Sequence, residues 1–366
     1  MSVFIDDVIK FIEDDFADIR RQSSWDFSGK QLYLGNRKVE KLCLALDPSE
    51  SVIAQAVGRG CELLITHHPL FFTPQKGLNI SKNKDRLVIN AIKNDLTILS
   101  YHTNLDMAPL GINDYLLKLL NATDCGLLAI EGEFEYSKVT VFTPPSHTDA
   151  IIDAISAAGG GTMGNYKRCA FSVRGAGTFT PLEGANPYIG TVGEPADVEE
   201  ARIEMIVPAA STKGVVAAIK DAHPYEHPAF DVAPINLFDS YGFGNVGELD
   251  REHSLDSFIT LLKDKLEIEH IRTNMNEIPP FTRFAVSSGS GGTRWKECLK
   301  RKVEVLVTGD LKHHDALDAK AAGVCVIDVG HFASEHIYMR FFAEILRNQF
   351  DVEVILADEM PSIIDL

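Results

Sequence analysis

Short apolar runs alternate with stretches of helical period in both the first and the last third of the chain, which predicts alternating strands and helices. KLCLALD (41–47), ELLITHH (62–68) and LTILSYH (96–102) read as strands. The segments 49–60 and 84–95 between them read as helices, the first with Ser49 as its cap, and residues 3–16 open the chain with a helical period. The last third repeats the scheme: RFAVSSG (283–289), VEVLVTGD (303–310) and VCVIDVGH (324–331) are strand-like, and 293–301, 313–322 and 333–349 are helical. This is the pattern of an α/β domain built on a mostly parallel sheet.

The middle differs. KVTVFTPPSHTDAIIDAISAAG (138–159) and RIEMIVPAASTKGVVAAIKDAH (202–223) each read as a strand, a proline-bearing turn, a Ser/Thr cap and a helix. Each returns through a strand, RCAFSVRG and AFDVAPI. A β-α-β unit repeated twice predicts a ferredoxin-like α+β domain of about 100 residues. Because α/β segments flank it, we read it as an insertion at 131–240 into an outer domain made of 1–130 and 241–366. The Gly-rich stretch 174–200 reads as a long loop or ribbon.

The 366 residues carry 35 Lys and Arg against 52 Asp and Glu, a net charge of −17 that argues against nucleic acid and anionic membranes as partners. The apolar runs are too short to span a bilayer, which takes about 20 residues. Six cysteines stand without a CxxC pair, and the start MSVFIDDVIKFIEDDF is acidic where a secretion signal is basic. A cytoplasmic protein with reduced thiols is expected.

Polar groups end the strands of the outer domain: Thr66-His67-His68-Pro69, His102-Thr103-Asn104-Leu105-Asp106, Gly309-Asp310 with His313 and His314, and Gly330-His331 with Glu335. Ligands of open α/β sheets bind beyond the carboxyl ends of the strands, so the fold would gather these groups at one edge. A lone His-His pair is more often a hydrogen-bonded structural feature, but four such strand ends favour a metal. Imidazole with carboxylate suits Zn, Mn, Fe or Co. His331 and Glu335 are four apart on a helix and share a face, while His67 and His68 point to opposite sides of a strand end. That spacing favours two ions bridged by Glu335, with a hydroxide held between them. Asp310, His313 and His314 remain open between orienting a ligand, contacting substrate and capping a helix, and His102 reads as a supporting group. The glycine turn in VSSGSGGTRWKECLK (286–300) reads equally as an anion cradle and as a plain turn. HPYEHP (223–228) reads as a turn or interface element.

THHPLFF (66–72), SYHTNLDMAPLGINDYL (100–116), TGDLKHHDAL (308–317) and DVGHFASEH (328–336) resemble the Nif-three-like family, the GTP cyclohydrolase 1 type 2 homologues, in the order and with the insertion that family has. The resemblance implies two divalent metals per chain on His67, His68, Asp106, His331 and Glu335, with Glu335 touching both. It further implies a ring-shaped homohexamer, a trimer of dimers, with the metals facing an internal cavity. The insertion resembles PII-like and CutA-like domains, and AHPYEHPAFDV (222–232) is similar to a CutA strand signature. The segment SSWDFSGKQLYLG (23–35) departs from the family's usual acid before the Trp and its DNxGL run.

These readings predict a metal-dependent hydrolase, cyclohydrolase-like or phosphoesterase-like, acting on a small molecule. Glu335 would hold the ions, and Asp310 or a nearby His would manage protons. The alternative is a non-enzymatic metal-binding or regulatory scaffold with a PII-like sensing domain.

Overall fold

A strand buried on both faces must offer apolar side chains to two sides in alternation. The outer strands do so. In Lys41–Ala45, Leu42 and Leu44 enter one core and Cys43 and Ala45 another. In Val305–Thr308, Val305 and Val307 turn one way and Leu306 the other. The computed structural model describes residues 2–164 and 166–363. The chain divides into two compact units, Met1–Gly132 with Tyr241–Leu366, and Glu133–Ser240.

The first unit holds two larger sheets rather than the one predicted. A five-stranded sheet runs in the order Glu353–Leu356, Lys41–Ala45, Leu63–Thr66, Thr97–Ser100, Gly29–Leu32, parallel except for the last strand. A six-stranded sheet runs in the order Arg272–Thr273, Cys325–Asp328, Val305–Thr308, Phe281–Val286, Ser240–His253, Thr123–Glu133. Its middle three strands are parallel, and Arg272–Thr273 and Ser240–His253 pair antiparallel. The pattern does not reveal the two long strands, because Thr123–Glu133 is largely exposed and Ser240–His253 is interrupted by glycines and charges.

Helices Ile5–Lys10, Ile112–Leu119, Leu255–Leu266 and His331–Gln349 share one core with the inward faces of both sheets, through Ile5, Ile112, Phe258 and Phe342. Helices Glu50–Gly58 and Asn83–Lys93 cover the other face of the five-stranded sheet. Trp295–Arg301 and His313–Ala321 cover that of the six-stranded one. Ser49 does cap its helix, its hydroxyl accepting from Val52 N at 3.2 Å.

In the second unit four strands lie in the order Phe230–Ile235, Tyr136–Thr143, Ala196–Pro208, Phe171–Phe179, every neighbour antiparallel. Helices Thr148–Ala157 and Thr212–Ala222 pack Ile151, Ile155, Val215 and Ile219 into one core with Val139, Val141, Ile203 and Met205. The Gly-rich stretch is a ribbon at its ends, where 171–179 pairs with 196–204. His223 is structural: Tyr225 N donates to its Nδ1 at 3.0 Å and its Nε2 donates to the Phe142 carbonyl at 2.8 Å, whereas His227 is exposed. Among the described residues no helix is long and apolar enough to cross a membrane. All six cysteines are free thiols.

Candidate metal centre

The polar strand ends meet, but from two sheets rather than along one edge. His67 and His68 follow Leu63–Thr66, and Asp106 ends the short helix Thr103–Asp106 after Thr97–Ser100. His331 and Glu335 lie in the first turns of His331–Gln349, after Cys325–Asp328 of the other sheet. Three sets of donor atoms lie within 4.8 Å of one another: His68, His331 and Glu335; His67, Asp106 and Glu335; and His67, His68 and His102. Glu335 is common to the first two.

The geometry crowds imidazole nitrogens and carboxylate oxygens into one buried space. His67 Nδ1–H donates to the Tyr101 carbonyl at 2.9 Å, so Nε2 is its open nitrogen. That buried Nε2 has no hydrogen-bond partner and stands 3.7 Å from Glu335 Oε1 and 3.8 Å from Asp106 Oδ1. Glu335 Oε2 lies 3.1 Å from Nε2 of both His68 and His331, and those two nitrogens are 3.3 Å apart. Donors bound to one ion at about 2.1 Å, with angles near 90–109°, stand about 3.0–3.4 Å apart. The measured spacings are close to that, so several of the residues present can hold a divalent cation.

Each imidazole is oriented from behind. Asp47 Oδ1 accepts from His68 Nδ1 at 2.8 Å, and Asp310 Oδ2 from His331 Nδ1 at 2.7 Å. Asp47 is fixed in turn, since the backbone N–H groups of Leu46 and Asp47 donate to the Glu359 carboxylate at 2.7 and 3.0 Å. Buried Asp328 accepts from Leu311 N at 3.1 Å and Gly330 N at 3.0 Å, tying together the turns that carry Asp310 and His331. Ser288 Oγ donates to Asp106 Oδ1 at 3.0 Å, and Asn113 bridges Asp106 O and Ser288 N. Gly289, at φ +59°, packs so closely that a Cβ would run into Glu335 Oε1.

Electrostatics follow the contacts. Burial pulls the His68 imidazole down, but hydrogen bonds to Asp47 and Glu335 outweigh it and push it up to about 10. Glu335 is the main cause that raises His331 to about 9. Burial opposes ionisation of Glu335, yet the imidazoles of His67, His331 and His68 hold it well below the usual carboxylate range. Asp106 is raised, chiefly by burial.

The structure thus brings together His67, His68, Asp106, His331 and Glu335. Asp310 meets the cluster through His331. His102 borders it, its ring 5.1 Å from that of His67 and 5.6 Å from that of His68. His313 and His314 are exposed and belong to none of the described donor sets. Asp26 and Asp47 escaped the sequence reading. Asp47 ends the strand beside Leu63–Thr66, so the strand-end rule that found His67 would have found it. Asp26 sits in a loop without period, where it accepts from His102 Nδ1 at 2.9 Å and Thr103 Oγ1 at 2.6 Å.

The Duf34/NIF3 (NGG1p interacting factor 3) family matches residues 3–362. The chain is 37% identical over 297 residues to a GTP cyclohydrolase 1 type 2 homolog of Halalkalibacterium halodurans, covering 81% of this chain and 80% of that protein. A GTP cyclohydrolase 1 type 2 homolog of Staphylococcus aureus strain Mu50 is 34% identical, with 93% of each chain covered. The crystal structure of a Bacillus cereus protein related to NIF3 superposes over the full length of both chains with a TM-score of 0.84 at 30% identity. The chain belongs to the Duf34/NIF3 family.

Proposed function

We propose that the cluster holds two divalent cations, one among His68, His331 and Glu335 and one among His67, Asp106 and Glu335, and that the protein is a metal-dependent hydrolase. The observation that carries this reading is the placement of Glu335. One of its oxygens faces His68 and His331 and the other faces His67, so a single buried carboxylate serves both donor sets. Donors of this type suit Zn, Mn, Fe or Co. Two such ions would supply Lewis acidity and bring the pKa of water toward neutrality.

The chain's own groups do the rest. Asp47, the Tyr101 carbonyl and Asp310 each engage Nδ1 of an imidazole, leaving Nε2 turned to the cluster. Asp310 is therefore a positioning residue for His331 in this reading. Asp26 engages His102 Nδ1, which leaves Nε2 as the atom through which His102 contacts a substrate or exchanges a proton. Opening of a purine ring, the activity in the relatives' name, and phosphoester hydrolysis both use this equipment.

Metal analysis of protein purified without chelator or affinity nickel, followed by assays on GTP and a phosphoester panel, tests the reading. Two equivalents per chain, and activity lost in Glu335→Gln, are expected. Protein that takes up neither Mn nor Zn, or a Glu335→Gln variant with unchanged activity, overturns it.

The second unit is, in our reading, a ferredoxin-like domain of the PII/CutA kind, supported by its strand order and by the single core shared by its two helices. The proposed hexamer gains support from the edge strand Phe171–Phe179, which exposes Phe171 and Val173. Light scattering on the full chain tests it. The six free thiols fit a cytoplasmic location.

A further inference from the structure

Arg294 stands beside the cluster with its guanidinium in no ion pair among the described residues. Its guanidinium is half-buried and lies 4.3 Å from the centre of the Phe243 ring. Among the described residues it has no side-chain hydrogen bond or ion pair. A ring face replaces only part of the hydration that a half-buried guanidinium loses, and its N–H donors, left without acceptors, are commonly completed by a ligand. Burial pulls the group's pKa down, against the carboxylates of Glu131 and Asp106 nearby. The residue also stands at the end of the loop that builds the cluster. Ser288 holds Asp106, Gly289 packs on Glu335, and Arg294 N donates to the Gly291 carbonyl at 2.9 Å.

A second feature borders the same cluster. Trp25 and Phe72 leave 56% and 45% of their surface in water, and each meets the His102 ring edge-on, at 5.7 and 5.8 Å. His102 in turn touches His67 and His68. Exposed rings at the border of a polar site offer stacking to a flat ligand. The net charge of −17 repels anions at long range, so an anionic substrate needs a local cation to hold it.

We propose that the substrate of this centre joins a planar ring to an oxyanionic group, with Arg294 taking the anion and Trp25 with Phe72 taking the ring. The proposal rests on the reading of the cluster as a metal centre and narrows its substrate class.

Two probes that differ by the ring alone, methylphosphonate and phenylphosphonate, test it on the zinc-loaded full chain. Calorimetry gives the affinities. Tryptophan emission reports on the ring, because Trp25 is exposed and Trp295, the other tryptophan, is buried. Phenylphosphonate is expected to quench emission and bind about fivefold tighter than methylphosphonate. Trp25→Ala removes that ratio. Arg294→Gln weakens both probes at least about tenfold and leaves the ratio intact, and Arg294→Lys, which keeps the charge but not the planar fork, falls between. Zinc content is measured in every variant, and if the Gln variant loses its metal the Lys variant decides. Equal affinity for the two probes in the unmodified protein overturns the proposal. So does unchanged binding in the Arg294 variants at full zinc content, and in either case the metal-centre reading stands. Unmodified protein that takes up neither zinc nor manganese, tried in turn as the loading metal, sinks that reading, and this one with it.

Discussion

Cation uptake by the free cluster should be a competition with protons. His68, at about 10, and His331, at about 9, both carry a proton on each ring nitrogen near neutral pH. Each must release the one on Nε2 before it can ligate. At about pH 7.5 the two displacements cost about 5 kcal/mol together, at about 1.4 kcal/mol per pKa unit. Apparent affinity at this pair should therefore rise with pH by up to about two powers of ten per unit from about pH 7 to about pH 9. It then rises by about one per unit to about pH 10 and levels off above that.

Stability of the metal-free protein has the opposite slope. A histidine pKa raised by folding stabilises fully below its unfolded value of about 6.5, and that contribution is lost as pH rises through the folded values near 9 and 10. Calorimetric titration with Zn or Mn at about pH 7.5, in two buffers of different ionisation enthalpy, counts the protons released. Close to two per ion seated by His68 and His331 is expected. Release below about half a proton, or affinity flat from about pH 7 to about pH 9, would refute the reasoning.

Other perturbations separate the parts of the centre. Gly289→Ala must move either Glu335 or a backbone held at φ +59°, so metal content should fall in both donor sets while circular dichroism stays near native. Asp47→Asn and Asp310→Asn should each weaken the site that includes His68 and His331 by about 10- to 100-fold, read by competition with a chelating dye, and spare the one that includes His67 and Asp106. Ser288→Ala should do the reverse, loosening Asp106. Leu63→Ala, in the fully buried core shared by both sheets, should cost about 2–5 kcal/mol in urea denaturation and lower metal affinity only through unfolding.

Much of the site was legible because strand ends carry their own signature. His67, His68 and His331 stand where an apolar run stops and polar residues begin, a junction that is local, and Glu335 follows His331 by one helical turn. Their orienting partners divide on the same ground. Asp310 and Asp47 also end strands, whereas Asp26 lies in an aperiodic loop and acquires its meaning from contacts with His102 and Thr103, 76 and 77 residues away. Arg294 was visible as a basic group in a glycine turn. That it stacks on Phe243 and forms no ion pair among the described residues was not, because pairing is a property of neighbours in space.

By itself the sequence determined the periodic strands and helices of the two outer thirds, the repeated β-α-β middle and the residue types gathered at strand ends, since all of these depend on period and local composition. The long strands Thr123–Glu133 and Ser240–His253 carry no such period. Tertiary structure alone decided that there are two sheets rather than one, joined through helices they share. It also turned the two oxygens of Glu335 toward different imidazoles. The reason is that the distances among Asp106, His67 and Glu335 are set by how two sheets and the helix His331–Gln349 pack, and packing between segments more than 200 residues apart leaves no periodic trace in the chain.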